Sequence, residues 1–93
     1  MDDWVGRRLR IRGVVQGVGF RWSMVETARR LGVCGWVRNR LDGSVEALVC
    51  GPHPEVVAMI HWAGNGPAGA RVEALNVQET DERVENFAQL ATI

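Results

Sequence analysis

Across Gly13-Val14-Val15-Gln16-Gly17-Val18-Gly19-Phe20-Arg21 the apolar pattern changes period, and this change constrains the fold more than any other feature of the chain. Upstream, from Arg7 to Val15, Leu9, Ile11, Gly13 and Val15 alternate with Arg8, Arg10, Arg12 and Val14. That is the period of a half-buried strand whose other side is lined with arginine. Downstream, Phe20, Met24, Ala28 and Leu31 fall at helical spacing and Gly32 supplies a stop, which predicts a helix from about Arg21 to Leu31. A strand must therefore pass into a helix through a glycine-rich loop that holds no acidic residue. Glycine has no Cβ penalty at positive φ, so such a loop can aim several amide N–H groups at one point. The helix start behind it adds partial positive charge, and Arg21 adds a planar cationic fork suited to phosphate. Two readings stay open on the loop alone. It is a phosphate cradle, or it is a tight turn whose glycines only permit packing and whose arginine is solvated. Two familiar glycine loops are excluded. The dinucleotide fingerprint needs glycine where Trp22 stands, and the nucleotide P-loop ends in Gly-Lys-Ser/Thr, whereas this chain has no lysine.

The remaining pattern completes a fold. Gly35 to Asn39 reads as a short strand, Arg40-Leu41-Asp42-Gly43 as a turn, and Ser44 to Cys50 as the returning strand of a hairpin. Gly51-Pro52-His53-Pro54 breaks that strand, and Pro54 suits the first turn of a second helix. Val56, Val57, Met59, Ile60 and Ala63 are expected to form its buried stripe, before Gly64-Asn65-Gly66-Pro67 ends it. Ala70 to Thr80 reads as a fourth strand. Val72, Leu75 and Val77 change parity within it, as a bulge or a shorter strand would require. Asn86 to Ile93 is expected to add a short edge strand. The order β-α-β-β-α-β predicts an α+β, ferredoxin-like sandwich, with two helices on one face of an antiparallel sheet. Residues 1–93 read as one domain. This architecture serves many unrelated functions, so it decides none.

Charge and composition narrow the partners. The 11 basic and 11 acidic side chains give a formal net charge of +0, which creates no global field for nucleic acid or an anionic membrane. No apolar run approaches the ~20 residues of a membrane span. Met1-Asp2-Asp3-Trp4 lacks the apolar segment of an export signal, which favours the cytoplasm. Cys34 and Cys50 lack metal-ligand spacing, as do His53 and His61, so no metal is expected. Folding the hairpin brings the two cysteines close to a cross-strand pair, with free thiols as the expectation in a reducing compartment. Asp42 reads as a turn residue and Glu46 as a solvent-side strand residue, rather than as general bases. Arg38 and Arg40 read as solvated. The four tryptophans raise RNA stacking as a possibility, but the first strand offers arginine and aliphatic side chains where RNA-binding modules of this fold place aromatics.

Asn39 is the second informative residue. Asparagine is depleted in strands, yet this one ends a strand just before a turn. It either initiates the turn by bonding the next amides or presents its carboxamide to a ligand.

Taken together, the stretches Gly13–Arg21 and Gly35-Trp36-Val37-Arg38-Asn39, with Gly43, Ser44-Val45 and Gly51 at their spacing, resemble the acylphosphatase family. Its first signature is Gly-x-Val-Gln-Gly-Val-x-Phe-Arg. Its second is Gly-aromatic-x-x-Asn-x-x-x-Gly-x-Val with a further glycine. The likeness runs from about Arg7 to Glu79 and includes Gly66-Pro67 and Ala70-Arg71-Val72. It implies a cytoplasmic, monomeric hydrolase that splits acyl phosphates into carboxylate and phosphate without metal or other cofactor. By position, Arg21 would bind the phosphate with the backbone amides of Val15, Gln16, Gly17, Val18, Gly19 and Phe20, and Asn39 would position the attacking water. A non-catalytic phosphate-binding module of the same fold is the alternative.

Overall fold

The computed structural model describes residues 3–93. Strand β1 (Trp4–Val14) leads into helix α1 (Phe20–Leu31). Then come β2 (Cys34–Asn39), β3 (Val45–Pro52), helix α2 (His53–Asn65), β4 (Arg71–Thr80) and the short β5 (Phe87–Gln89). The sheet order is β4-β1-β3-β2-β5. The first four strands pair antiparallel, as the alternation implies. β5 lies parallel to β2 and makes the sheet mixed. The edge strand expected in the tail is thus present, over three residues.

The two helices cover one face. Leu9 and Ile11 from β1 meet Phe20, Met24 and Ala28 from α1 and Val56, Met59 and Ala63 from α2 in a single core. Val57, expected in the buried stripe of α2, is exposed instead. At 100° per residue it falls outside the arc that Val56, Met59, Ile60 and Ala63 share. The parity change in β4 is a bulge. Arg12 pairs with Ala74 but Gly13 pairs with Val72, so Glu73 is the extra residue. The bulge returns Val72, Leu75 and Val77 to the side of Gly13, Ile11 and Leu9. Cys34 is the register partner of Cys50, and both thiols are free.

β3 is the central strand and is buried along nearly all of its length. The helices shield one side; arginines shield the other. Glu46 stands on the helix-free face, as expected, but it is only 6% exposed rather than solvated. One carboxylate oxygen, Oε1, accepts from Arg38 Nε at 2.8 Å and Arg40 Nη1 at 2.9 Å. The other, Oε2, accepts from Arg8 Nη1 at 3.2 Å and Arg10 Nη2 at 3.4 Å. Arg38 and Arg40 are therefore anchored, not free. Trp36 lies between Arg8 and Arg38, with guanidinium carbons 5.0 and 4.7 Å from its ring centre.

Burial pushes the Glu46 carboxyl up, but the hydrogen bonds and charges of Arg38 and Arg40 outweigh it, so the group lies below its ordinary 4.5. A carboxyl depressed in the folded state stabilises the fold above its unfolded pKa, and that contribution disappears as pH falls through the folded value. Glu46→Gln is accordingly expected to cost about 1–3 kcal/mol at neutral pH, because four cations lose their shared anion while remaining partly solvated. Urea midpoints should show the deficit at pH 7. It should shrink as pH falls through the lowered folded-state pKa of Glu46, where the carboxyl becomes protonated and both side chains are neutral.

Candidate active site

The loop from Val15 to Gly19 crosses the top of the sheet beside the β2–β3 hairpin. Gly17 and Gly19 hold φ of 75° and 78°, a left-handed conformation open to glycine at little cost. A Cβ at either position would point into open space, so the backbone conformation, rather than crowding, demands glycine there. Among the described residues, no turn or cap acceptor takes a hydrogen bond from the amides of Gln16 to Phe20.

Helix α1 begins without the usual devices. Gly19 is its N-cap, no side chain caps it, and no acidic residue occupies the first turn. Arg21 sits in that turn instead, where the helix dipole disfavours a cation. A helix start with bare amides and an added positive charge violates the ordinary rules of helix design, and such violations concentrate at functional sites. A bound anion would reverse the sign of every term. Phe20 holds the start in place: it is buried and meets Trp62 of α2 edge-on, with centroids 5.4 Å apart.

Arg21 and Asn39 come together around one hollow of about 120 Å³, which Val15, Gly17, Gly19, Phe20, Trp22 and Gln89 also line. Two of the expected backbone donors, Gln16 and Val18, do not line it. Val18 packs against the core, and Gln16 is turned toward the hairpin. Among the described residues the Arg21 side chain has no ion pair or hydrogen bond, in contrast to the paired arginines of the sheet face.

Asn39 is 8% exposed, and its Oδ1 is buried without a hydrogen-bond partner among the described residues. It does not initiate the turn. Asp42 does that work, with Oδ1 accepting from the Ser44 amide at 2.9 Å and the Ser44 hydroxyl at 2.6 Å. Those two bonds, with lesser help from the charges of Arg10 and Arg12, hold the Asp42 carboxyl down at about 2. Asp42 is thus a poor proton acceptor near neutral pH. The turn alternative for Asn39 fails on this geometry, and the residue lines the Arg21 hollow with a buried carboxamide oxygen that has no partner among the described residues.

Two positioning features escaped the sequence reading. The Gln16 side chain, expected to contribute only its backbone, donates from Nε2 to the carbonyls of Arg40 at 2.8 Å and Ser44 at 2.9 Å. This strut ties the glycine loop to the hairpin that carries Asn39. Gln16 is the one polar side chain between Gly13 and Phe20, a signal that was available. The tail is the other feature. The Ile93 amide donates to the Asn39 carbonyl at 3.3 Å, and the Leu41 amide donates to the Ile93 carbonyl at 2.9 Å, so the last residues brace Asn39 from the β5 side.

This assembly defines an α+β sandwich with a small cation-lined hollow where one strand turns into one helix. Comparison with known proteins is specific. The acylphosphatase family model matches residues 7–89. The chain is 54% identical to the acylphosphatase of Acidovorax sp. (strain JS42) over 90 residues, which is 96% of this chain and 93% of the relative. Among solved structures it is similar to an acylphosphatase from Coxiella burnetii, with a TM-score of 0.90, 31% identity, and coverage of 95% of this chain and 94% of that one. The acylphosphatase from Bacillus subtilis superposes with a TM-score of 0.88 at 32% identity, covering 92% and 98%. The chain belongs to the acylphosphatase family, and its activity is that of an acyl phosphate hydrolase.

Proposed function

We propose that the chain, acting as a single domain over residues 1–93, hydrolyses acyl phosphates by in-line attack of water on a phosphoryl group held in the Arg21 hollow. The guanidinium of Arg21 pairs with two phosphoryl oxygens, and the bare amides of the loop and first helical turn take the charge of the equatorial oxygens. These donors are fixed before substrate arrives, so they stabilise developing charge without reorganising. The Asn39 carboxamide accepts one hydrogen from the water and sets its oxygen in line with the bond to be broken. Water then bonds to phosphorus, the bond from phosphorus to the acyl oxygen breaks, and the carboxylate leaves with the bonding electrons. The water proton passes to a phosphoryl oxygen. A carboxamide is not basic at ordinary pH, and a carboxylate leaving group needs no protonation, so no protein acid or base is required.

One observation carries the reading: a half-buried, unpaired Arg21 and the orphaned Oδ1 of buried Asn39 share one small hollow at an uncapped helix start. A pure binding module would gain nothing from an unsatisfied carboxamide oxygen, whose burial costs free energy. The substrate is a small acyl phosphate. The protein works as a monomer in the cytoplasm. Among the described residues, no helix is long and apolar enough to cross a membrane. Nucleic acid is no partner, because Arg8, Arg10, Arg12, Arg38 and Arg40 of the sheet face are committed to Glu46, Asp42 and Glu82. The direct test is loss of benzoyl phosphate absorbance with purified protein. Catalytic release of benzoate and phosphate is expected; phosphate binding without turnover would return the protein to the module reading.

A further inference from the structure

The phosphate hollow has an aromatic neighbour with no structural work. Trp4 stacks under Arg83, Trp36 lies between two guanidinium groups, and Trp62 meets Phe20. Trp22, by contrast, is 67% exposed. Among the described residues its side chain makes no hydrogen bond, ring contact or cation–π contact. It lines the same hollow as Arg21 and Asn39 and sits in the first turn of α1, one residue beyond Arg21. A large indole displayed there buries no core surface, so packing gives no account of it.

The hollow itself gives one. Its volume of about 120 Å³ is well below the roughly 300–1,000 Å³ of sites that enclose whole small-molecule ligands. With the phosphoryl group inside, the acyl group must remain at the rim, where Trp22 stands. We infer that Trp22 is the acyl-group platform of this site, and that it biases the enzyme toward acyl phosphates with flat aryl or extended apolar acyl groups over acetyl or carbamoyl phosphate. The inference rests on the acyl phosphatase reading of the hollow and names its substrate class. The physics is desolvation of two apolar faces together with aromatic offset stacking, and Trp22 has its ring free to supply both. This contact forms in the ground state and persists in the transition state. It therefore acts on KM more than on kcat.

Benzoyl phosphate and acetyl phosphate separate the possibilities. For Trp22→Ala, the ratio of kcat/KM for benzoyl phosphate to that for acetyl phosphate is expected to fall by about 2–10-fold, mainly through a higher KM for benzoyl phosphate. Trp22→Phe should recover most of the ratio, because a smaller ring still stacks. A ratio that does not move, or an equal loss on both substrates, overturns the platform while leaving acyl phosphate hydrolysis standing. An unmutated protein that turns over neither compound overturns the hydrolytic reading and the platform with it.

Discussion

Arg21→Ala is expected to reduce turnover of an acyl phosphate by at least about 10²–10³-fold and to abolish competitive inhibition by inorganic phosphate. Both losses follow from one geometric fact. Arg21 is the charged side chain lining the hollow, and it has no other partner among the described residues to share its charge. The remaining donors are neutral amides at a helix start worth roughly half an elementary charge. A phosphoryl dianion would then face that partial charge alone, in both ground and transition states. Steady-state kinetics with phosphate as competitive inhibitor measures both effects. Lysine at this position should recover only part of the loss, since an ammonium cannot make the paired contact of a guanidinium. Retained phosphate inhibition in the alanine variant would show that the amides suffice and that Arg21 is a bystander.

Asn39→Ala is expected to lower kcat by about 10²–10³-fold while leaving phosphate inhibition within a few-fold of its original strength. The asymmetry separates the two residues. In the proposed mechanism Asn39 acts on the water, which is absent from the enzyme–phosphate complex as a nucleophile, so removing it is expected to spare the ground state. Among the described residues its Oδ1 has no intramolecular partner to lose. Truncation thus strands no buried donor, and the fold should survive. Intact thermal unfolding of the variant, alongside the lost turnover, is the result that matches. A parallel loss of phosphate affinity would instead place Asn39 in the cradle, and unchanged kcat would remove it from the reaction.

The reach of the sequence differs from element to element. The period-two run of β1, the helical run of α1 and the Asp-Gly hairpin are local patterns, so their positions and order could be read to within a few residues. The bulge in β4 was legible because its parity change is also local. Val57 was misplaced because a run of adjacent apolar residues blurs which arc of a helix faces inward. Glu46 was seen on the right face, yet its burial comes from Arg8 and Arg10 across one strand pair and Arg38 and Arg40 across another. No spacing along the chain encodes that convergence.

The candidate site shows the same division. Arg21 and the glycine loop stood out as residue types in a local pattern, with a packing turn left open beside the cradle, whereas Asn39 read on its own as a turn residue and took its role only from the resemblance to the acylphosphatase family. The sequence alone determined in what order the elements run, and it offered Arg21 and the glycine loop as a candidate cradle without excluding a packing turn. Only the folded chain decided that Arg21 and Asn39 line one hollow, that Asp42 rather than Asn39 closes the turn, and that Gln16 and the tail hold the two halves in register. The reason is distance along the chain. Propensity and periodicity act over a few residues, whereas the Gln16 strut spans 24 and 28 positions and the tail reaches back from Ile93 to Asn39, so these contacts exist only once β2 has paired with both β3 and β5.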